Sequence, residues 1–526
     1  MRSSCDSTSR PELLQPFTTG RRSSRSGMAA QGAGALFFCF LGVYLLSTGG
    51  SLTTTDAVIT FDLTKSLVER HSIALSDDIV GHGKNRGADG RFYSQHGIGV
   101  SLYGIPFFCA GKIVEGRLGD RLPKTDLLTK AFVDTGSAVA AAAAVALSYL
   151  FAWHVTRNAR ASSFAAACLG LGTALWPYSK FGFNQPLATL LLVAAVFIAW
   201  SALRYGEDWK LLWAGILVGA AWLTRHEMVL AGIPIGLWAF AHSKGDWFRL
   251  LRRLLFLAPG ILLAGLLWGY YNRLRFHHWS EVGYTPVFNL IGYAGLLFSP
   301  GASVFLYSPI AFVGILGWRH LARHDPPTAW LVGGEIIVFF AFYGAMDDWF
   351  GGRSYGARYL VPLLPLACLP LAVLFACRCS PVRRSVLIVA AVTSIIVQLP
   401  GVVVDYAKVQ EADSHRHPGA GVRARAYSWN ASPLVLNENA ALELVPRNVQ
   451  FLRAGNRLPA STDGGASLKE LDTSLDFWWL YLHWLRILPS RLVGVLVALL
   501  LGLTIASGWF FSRSVRALDG DAVVEA

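Results

Sequence analysis

The clearest pattern along the chain is a series of long apolar runs separated by short polar stretches. A helix that crosses the hydrocarbon core of a bilayer needs about 20 mostly apolar residues. Twelve runs approach this length, and they predict an all-α polytopic membrane protein with about 12 (roughly 11 to 13) transmembrane helices. The predicted spans cover residues 33–49, 131–152, 161–177, 185–203, 209–224, 228–242, 250–270, 302–318, 328–345, 358–377, 385–402 and 489–511.

A further apolar run, 97–114, carries four glycines and a central Pro106, and we interpret it as a re-entrant or interfacial segment. The charges of the loops favour this interpretation. With 97–114 excluded and the N-terminus inside, the short inner loops hold fifteen Lys and Arg against four acidic residues, whereas the outer turns hold six against four. Counting it as a full span would reverse every later loop and place the basic excess outside, against the positive-inside tendency.

Composition agrees with a membrane protein and excludes an ordinary soluble one. Hydrophobic residues make up 53% of the chain and charged residues 15%, whereas soluble proteins have about 25% charged residues. The formal net charge of +13 could indicate a nucleic-acid partner, but in a polytopic protein a basic surplus orients the inner loops. We therefore predict the lipid bilayer, and no nucleic acid, as a partner.

The polar segments divide the chain into five parts. Residues 1–32, rich in Ser and Arg, are predicted to be a disordered cytoplasmic N-terminus, and 33–402 a transmembrane module with a long outer loop, 50–96. Residues 403–485 contain aromatic and apolar stretches and predict a small extracytoplasmic domain. Residues 486–512 form the last span, and 513–526 a cytoplasmic tail.

Asp56 is the first candidate for chemistry, because it directly follows the first span and begins a stretch with helical apolar spacing. The stretch predicts a short helix along the membrane surface. An aspartate at such a junction can be an N-cap that accepts hydrogen bonds from free backbone N–H groups. The other interpretation is a general base at the membrane face.

Further polar groups recur at the predicted outer ends of the spans. Tyr93 and His96 end the first outer loop, where they either line a pocket or belong to an ordinary polar loop with interfacial aromatic residues. Lys180 and the neighbours Arg225 and Glu227 lie on the same predicted face. Ionisable groups beside the hydrocarbon are costly and tend to be paired or functional. Arg225 and Glu227 therefore either bind substrate or neutralise each other.

A glycine-rich loop before the tenth span holds two arginines, Arg353 and Arg358, together with Tyr355. The planar fork of arginine pairs bidentately with phosphate oxygens, so this loop favours an anionic phosphate over a neutral solute. Tyr355 is a candidate substrate contact. The structural alternative is that both arginines pair with Asp347 and Asp348 and anchor the end of the helix.

Taken together, these features resemble the integral-membrane glycosyltransferases of the GT-C fold. The bacterial branch related to protein O-mannosyltransferases and aminoarabinose transferases (glycosyltransferase family 39-like) is the nearest likeness. The likeness covers most of the chain as topology, and its specific residues are Asp56 and the stretch 349–362. Two positions depart from the family pattern: Ala57 replaces the usual acidic residue, and Gln95-His96 replaces a frequent Pro-Pro pair.

The resemblance implies a catalytic mechanism with an Asp general base and no cofactor. A polyprenyl-phosphate sugar would be the donor, and a membrane lipid, glycan or protein would supply the acceptor hydroxyl. Asp56 would take the hydroxyl proton in an inverting displacement. Arg353, Arg358 and Lys180 would bind the donor phosphate, so that no metal is required.

The principal alternative is a transporter or flippase of lipid-linked sugars. Such a protein would place polar or broken segments near the bilayer midplane, often in matching halves. The sequence has no such halves, and the candidate groups gather on one predicted face, which favours an enzyme. A third alternative is a structural scaffold, in which these acidic and basic residues could be substituted without loss of function. The resemblance implies a bacterial inner-membrane protein with its active site on the periplasmic side.

Overall fold

The computed structural model describes residues 19–79, 83–118, 126–283, 287–377, 381–419, 421–454, 474–484 and 487–523. These residues are mostly α-helical, with one two-stranded sheet. Eight helical segments are long and apolar enough to cross a membrane. The prediction of an all-α polytopic membrane protein is therefore confirmed. The other four predicted spans coincide with shorter helices.

The helices follow the apolar runs of the sequence closely. In chain order the α-helices are α1 (Thr19–Ser47), α2 (Thr55–Lys65), α3 (Gly99–Leu118), α4 (Leu127–Thr156), α5 (Ala159–Leu171), α6 (Leu175–Tyr178), α7 (Gln185–Tyr205), α8 (Leu211–Thr224), α9 (Gly232–Ser243), α10 (Trp247–Phe276), α11 (Gly292–Phe298), α12 (Val304–Tyr307), α13 (Pro309–Leu316), α14 (Trp318–His324), α15 (Pro326–Ala345), α16 (Leu364–Ala376), α17 (Pro381–Val403), α18 (Tyr406–Arg416), α19 (Val422–Ala426), α20 (Pro433–Arg453), α21 (Trp478–Trp484) and α22 (Ser490–Val523).

Short elements complete the described chain. A π-helical turn, Ser66–Arg70, extends α2, and 3₁₀ turns cover Asp208–Lys210, His226–Ala231 and Arg358–Leu363. The last of these turns joins α16 to form one apolar segment, 358–376. The strands β1 (Lys84–Arg86) and β2 (Phe92–Ser94) pair antiparallel, with Asn85 opposite Tyr93.

Two predicted spans are interrupted rather than continuous. In 302–318, Ser308 leaves the helical conformation between α12 and α13. Pro309 follows it, and a residue before proline is disfavoured in the α region because of a clash with the proline ring. In 161–177, α5 ends at Gly172 before the short helix α6.

The terminal parts of the chain differ from the prediction. α1 begins at Thr19, so the predicted disorder of 1–32 is wrong for 19–32, whereas residues 1–18 lie outside the described part. Likewise α22 runs without a break into the predicted tail, 513–526, as far as Val523. The two helices continue because they share a buried cluster, whose members are Ala29, Trp153, Ala159, Val515 and Leu518.

The segment 97–114 forms the N-terminal part of one uninterrupted helix, α3. The chain does not turn back within this helix, so the re-entrant alternative is wrong, and the interfacial alternative stays a prediction. Its glycines allow close packing instead of breaking the helix. A Cβ at Gly111 would lie 2.7 Å from the Cα of Thr129 in α4, and one at Gly104 would lie 3.1 Å from the Thr64 hydroxyl.

The described part of 403–485 is helical and packs on the transmembrane module. Tyr406, the first residue of α18, contacts Phe181 with ring centroids 4.6 Å apart. The backbone N–H of Leu434 in α20 donates to the hydroxyl of Tyr307 at 3.1 Å. Residues 455–473 of this predicted domain lie outside the described part.

Glycines also set the close approach of α8 and α10. A Cβ on Gly215 would run into the Leu257 carbonyl oxygen, whereas nothing lies within 4 Å of a Cβ on Gly236 in α9. We expect Gly215→Ala to lower the free energy of unfolding by about 1 to 3 kcal/mol, a usual cost of overpacking. Gly236→Ala should be neutral or stabilising, because Ala is the better helix former. Thermal unfolding in detergent measures both, and equal melting temperatures would contradict the packing argument.

Candidate active site

Asp56 lies in the first turn of α2, but it does not cap the helix. The N-cap is Thr54, whose hydroxyl accepts the backbone N–H of Ala57 at 3.3 Å. The N-cap interpretation of Asp56 is therefore wrong, and its carboxylate is available for other contacts. The helix itself is mostly buried: Ile59 and Leu63 pack against Leu75 beneath the outer loop.

The carboxylate of Asp56 forms an ion pair with the guanidinium of Arg358, 302 residues later in the chain. Arg358 begins the 3₁₀ turn before α16. Its Nη1 donates to the Gly351 carbonyl at 3.3 Å, and its guanidinium lies over the ring of Phe183, 4.8 Å from the centroid. Gly351 has φ +70°, a left-handed conformation that suits glycine. The resemblance implies that Asp56, Arg353 and Arg358 share one site; Asp56 and Arg358 are in contact, whereas Arg353 pairs with Glu411.

His96 completes the surroundings of the carboxylate. Its Nε2 lies 3.6 Å from Oδ1 of Asp56. Burial by itself would raise the pKa of Asp56, but the charge of Arg358 and the polar contacts with Arg358 and His96 outweigh burial and hold that pKa well below its ordinary value. Asp56 is therefore an ionised carboxylate whose negative charge is matched by Arg358.

A second arginine–carboxylate pair lies next to the first. Arg225 contacts Glu227, with 2.7 Å from Nε to Oε1, and its Nη1 donates to the side chain of Asn184 at 2.9 Å. The hydroxyl of Tyr343 also donates to Glu227. Burial would raise the pKa of Glu227, but Arg225 lowers it to about 2. Arg225 and Glu227 thus neutralise each other in the unbound protein.

Gln185 joins the two pairs. Its amide is oriented so that the oxygen faces the two arginines. This oxygen accepts from Nε of Arg358 at 2.8 Å and from Nη1 of Arg225 at 2.7 Å. The ring of Tyr359 also lies between the two guanidinium groups, whose carbons are 5.8 Å and 5.2 Å from its centroid. Asp56, His96, Arg358, Arg225 and Glu227 therefore belong to one connected cluster.

An apolar groove begins beside this cluster. It lies between α2, α3, α4 and the start of α7, and its free volume is about 20 Å³, enough for a water-sized molecule. Ala57, next to Asp56, and Phe183, beneath Arg358, belong to its wall. Aliphatic and aromatic side chains form most of this wall, but the unbound groove is too small for a hydrocarbon chain. The other lining residues are Leu52, Thr60, Thr64, Val100, Tyr103, Gly104, Val133, Gly136, Ser137, Gly182 and Leu187.

Lys180, expected to bind the donor phosphate, forms a buried ion pair with Asp476 instead. Its ammonium lies 3.0 Å from the carboxylate of Asp476, and the two side chains are 0% and 1% exposed. The ammonium also donates to the carbonyl oxygens of Val402 and Asp476. Since Asp476 matches the charge of the ammonium and two carbonyl oxygens accept its hydrogen bonds, the expectation for Lys180 is wrong.

Arg353 and Tyr355 also lie apart from the cluster. Arg353 pairs with Glu411 of α18 at 2.9 Å, where 45% of its side chain is exposed. Tyr355 is fully buried and its hydroxyl donates to the Val397 carbonyl, so it is not placed to touch a substrate. The alternative pairing is wrong for Asp347, which contacts Arg423 instead. Asp348 accepts from the hydroxyl of Tyr359 at 3.3 Å, and the charge of Arg358 acts on its carboxylate.

Tyr93 supports the loop between α1 and α3. Its hydroxyl donates to Asp89 at 2.8 Å and its ring packs edge-on against Phe276. Burial and the hydrogen bond to Asp89 raise the pKa of Tyr93 to about 12. Its side chain is buried, so the expected substrate contact is not observed.

His226 is a residue that the sequence analysis passed over. Its Nδ1 accepts the indole N–H of Trp268 at 2.8 Å, which places its proton on Nε2, 3.2 Å from the carbonyl oxygen of Gln95. Burial lowers the pKa of His226 to about 4. A neutral His226 therefore fixes the backbone directly before His96.

The other functional groups missed were neutral amides and phenols. Gln185 and Asn184 stand at the start of an apolar run, and Tyr343 and Tyr359 stack with centroids 5.0 Å apart. For Gln185 and Asn184, the sequence offered one indication, a polar amide at the start of a predicted span. Within the described ranges, no group of three or more His, Cys, Asp or Glu side chains is arranged to hold a metal ion.

Comparison with known proteins gave two structural likenesses worth naming. No family model and no curated protein matches the chain. The chain is similar to the crystal structure of ArnT from Cupriavidus metallidurans bound to undecaprenyl phosphate, with 16% identity, TM-score 0.40, and coverage of 87% of this chain and 85% of that chain. For ArnT in the apo state the values are 16%, 0.42, 90% and 75%. Similarity at this level does not assign a reaction, so function rests on the cluster itself.

The buried pair of Lys180 and Asp476 should be structural. We expect Lys180→Met to lower the free energy of unfolding by about 3 to 5 kcal/mol, because it leaves an uncompensated buried carboxylate. Adding Asp476→Asn should recover part of that loss. Thermal unfolding of both variants measures this, and a Lys180→Met protein with wild-type stability but impaired lipid-phosphate binding would contradict the structural role.

His226 should make stability depend on pH. Because its pKa is lowered in the folded state, its contribution is complete above about pH 6.5 and is lost as the pH falls towards 4, by roughly 3 kcal/mol. His226→Gln, which keeps a donor and an acceptor, should show a smaller loss of thermal stability over this interval. His278→Gln, at an exposed site, is the control. Identical pH profiles for all three proteins would contradict the assignment.

Proposed function

We propose that the protein is a membrane glycosyltransferase that moves a sugar from a polyprenyl-phosphate donor to an acceptor hydroxyl of a lipid, glycan or protein on the outer face of the membrane. One observation carries the proposal: the ion pair of Asp56 with Arg358, beside an apolar groove. The pair combines a base and an anion-binding cation at one point. The apolar wall of the groove would contact the part of a lipid tail nearest to that point.

The charges of the cluster suit a phosphodiester. Arg358 and Arg225 are 12% and 7% exposed, so anions that reach them meet guanidinium groups largely shielded from water. Charge-assisted hydrogen bonds are strongest in such surroundings, and the fork of arginine matches phosphate oxygens. A phosphate entering here replaces Asp56 as the partner of Arg358.

In the transfer step, Asp56 accepts the proton of the acceptor hydroxyl while that oxygen bonds to the anomeric carbon. The bond between the anomeric carbon and the phosphate oxygen breaks, and polyprenyl phosphate leaves with the bonding electrons. The configuration inverts, because attack and departure occur on opposite faces. Arg358 stabilises the charge that develops on the leaving oxygen, a contribution of about 3 to 4 kcal/mol per preorganised donor in comparable sites.

The low pKa of Asp56 in the unbound site makes it a weak base there. A general base works best when its pKa lies near the working pH. Donor phosphate competes for Arg358, and its own negative charge raises the proton affinity of Asp56. Base strength would therefore increase only after the donor is bound.

The alternative function, a transporter or flippase of lipid-linked sugars, is favoured by one feature. Glu335 in α15 is fully buried within a candidate span, and its carboxylate oxygens have no hydrogen-bond partner among the described residues. Buried ionisable groups in spans often mark translocation pathways. Movement of a labelled lipid-linked sugar across proteoliposomes without any acceptor, lost in Glu335→Gln but not in Asp56→Asn, would support transport over transfer.

Asp56→Asn is the decisive variant for the transferase. We expect it to lower the transfer rate by roughly 10² to 10⁴-fold, the usual contribution of a general base. Binding of polyprenyl monophosphate should be retained or strengthened, because Arg358 loses its competing carboxylate. Purified protein with radiolabelled polyprenyl-phosphate sugars and membrane acceptors measures the rate.

The matched control is Asp62→Asn on the same helix. Asp62 pairs with Arg70 at 3.1 Å and makes no contact with Arg358. It should lower stability without abolishing transfer per folded molecule. A folded Asp56→Asn protein that transfers sugar as fast as the wild type would refute the base assignment.

A further inference from the structure

Gln185 occupies a position between the two arginines of the cluster. It is the first residue of α7 and its side chain is fully buried. Guanidinium nitrogens only donate hydrogen bonds, so the atom 2.8 Å from Arg358 and 2.7 Å from Arg225 must be the amide oxygen. The amide nitrogen donates to the side chain of Asn184 at 3.0 Å.

Both guanidinium groups are thereby fixed before any substrate arrives. For Arg358, Nε meets Gln185, Nη1 meets the Gly351 carbonyl and Nη2 meets Asp56. Among the described residues, Gln185 is the one side chain whose oxygen bonds to both arginines. It therefore determines how the two guanidinium planes are oriented relative to each other.

The side chain of Gln185 is uncharged, and this affects how strongly the two arginines attract an anion. Asp56 and Glu227 carry two negative charges against the two positive charges of Arg358 and Arg225, so the set is neutral. A glutamate at position 185 would reach the same nitrogens but would leave the set with one net negative charge. An amide oxygen orients the arginines without neutralising their positive charge.

We propose that Gln185 is a positioning residue that joins Arg358 and Arg225 into one anion site, which takes the phosphate of the lipid donor. The inference rests on the proposed function for the identity of that ligand. It assigns phosphate recognition to the pair Arg358 and Arg225, in place of the pair Arg353 and Arg358 expected from the sequence. Gln185 acts through the arginines and need not touch the substrate.

Gln185→Glu in the full-length protein tests this inference. The probes are a polyprenyl monophosphate and the matching polyprenol, which has the same tail without the phosphate. We expect the preference for the phosphate over the alcohol to fall at least about tenfold, because a negative charge now stands between the arginines. The carboxylate loses the hydrogen bond that the amide nitrogen donates to Asn184, but it pairs with two guanidinium groups, so thermal stability should fall less than in a variant without that pairing.

Gln398→Glu is the matched control for placing a carboxylate at a buried glutamine. The amide nitrogen of Gln398 donates to the carbonyl oxygens of Tyr307 and Ser394 at 2.8 and 3.1 Å. A carboxylate cannot donate, so this variant should lose stability while each folded molecule keeps its phosphate preference. If Gln185 had only a packing role, Gln185→Glu would behave in the same way, and the inference would be overturned.

A second variant, Gln185→Met, covers the case in which Gln185→Glu does not fold. It keeps a similar side-chain length without an oxygen acceptor, and it should lower the phosphate preference several-fold without adding charge. Wild-type preference in either folded variant overturns the inference. Because these binding measurements require no transfer, a failure here is distinct from an active Asp56→Asn protein, which would overturn the proposed reaction.

Discussion

The ion pair between Asp56 and Arg358 is the contact on which the site depends. It joins the first turn of α2 to the turn that begins the segment 358–376. A buried ion pair is weak evidence for stability, because the desolvation of two charges offsets most of their attraction. Two well-packed apolar side chains would hold these elements together as well or better. The presence of a carboxylate and a guanidinium at this point is therefore better explained by what they bind than by what they stabilise.

The surrounding elements keep both partners of this pair in place. Thr54 caps α2 and leaves the Asp56 side chain free, and the left-handed turn at Gly351 brings its carbonyl to Arg358. His226 holds the backbone at Gln95 and thereby the position of His96. None of these contacts involves a substrate, yet each limits the orientation of a group that the proposed reaction uses. Preorganisation of this kind reduces the reorganisation needed when charge develops during reaction.

The helices and one charged pair could be predicted from the sequence. The helices follow from local apolar runs, and the pair follows from the chemistry of the residue types. Apolar runs of span length predicted the helices, and a base near the first span with arginines near the tenth predicted Asp56 and Arg358. Lys180 was assigned wrongly because its partner, Asp476, lies 296 residues away in the chain. Gln185 was missed because a single amide at the start of an apolar run carries neither charge nor a recognisable motif. Ion pairs between residues far apart in the chain, and uncharged side chains that join charged ones, can be identified only from the folded structure.

The proposed reaction also gives the cluster a definite order of events. Before the donor binds, each arginine is matched by a carboxylate, and Asp56 has little affinity for a proton. A bound phosphodiester adds one negative charge next to Asp56. In the transfer step Asp56 gains the acceptor proton while the leaving lipid phosphate gains one negative charge, so the total charge of the occupied site does not change. Departure of the doubly charged phosphate, followed by release of the proton from Asp56, restores the unbound state. Donor binding and base strength are thus linked through Arg358, and by the reciprocity of linkage a protonated Asp56 favours the bound phosphate.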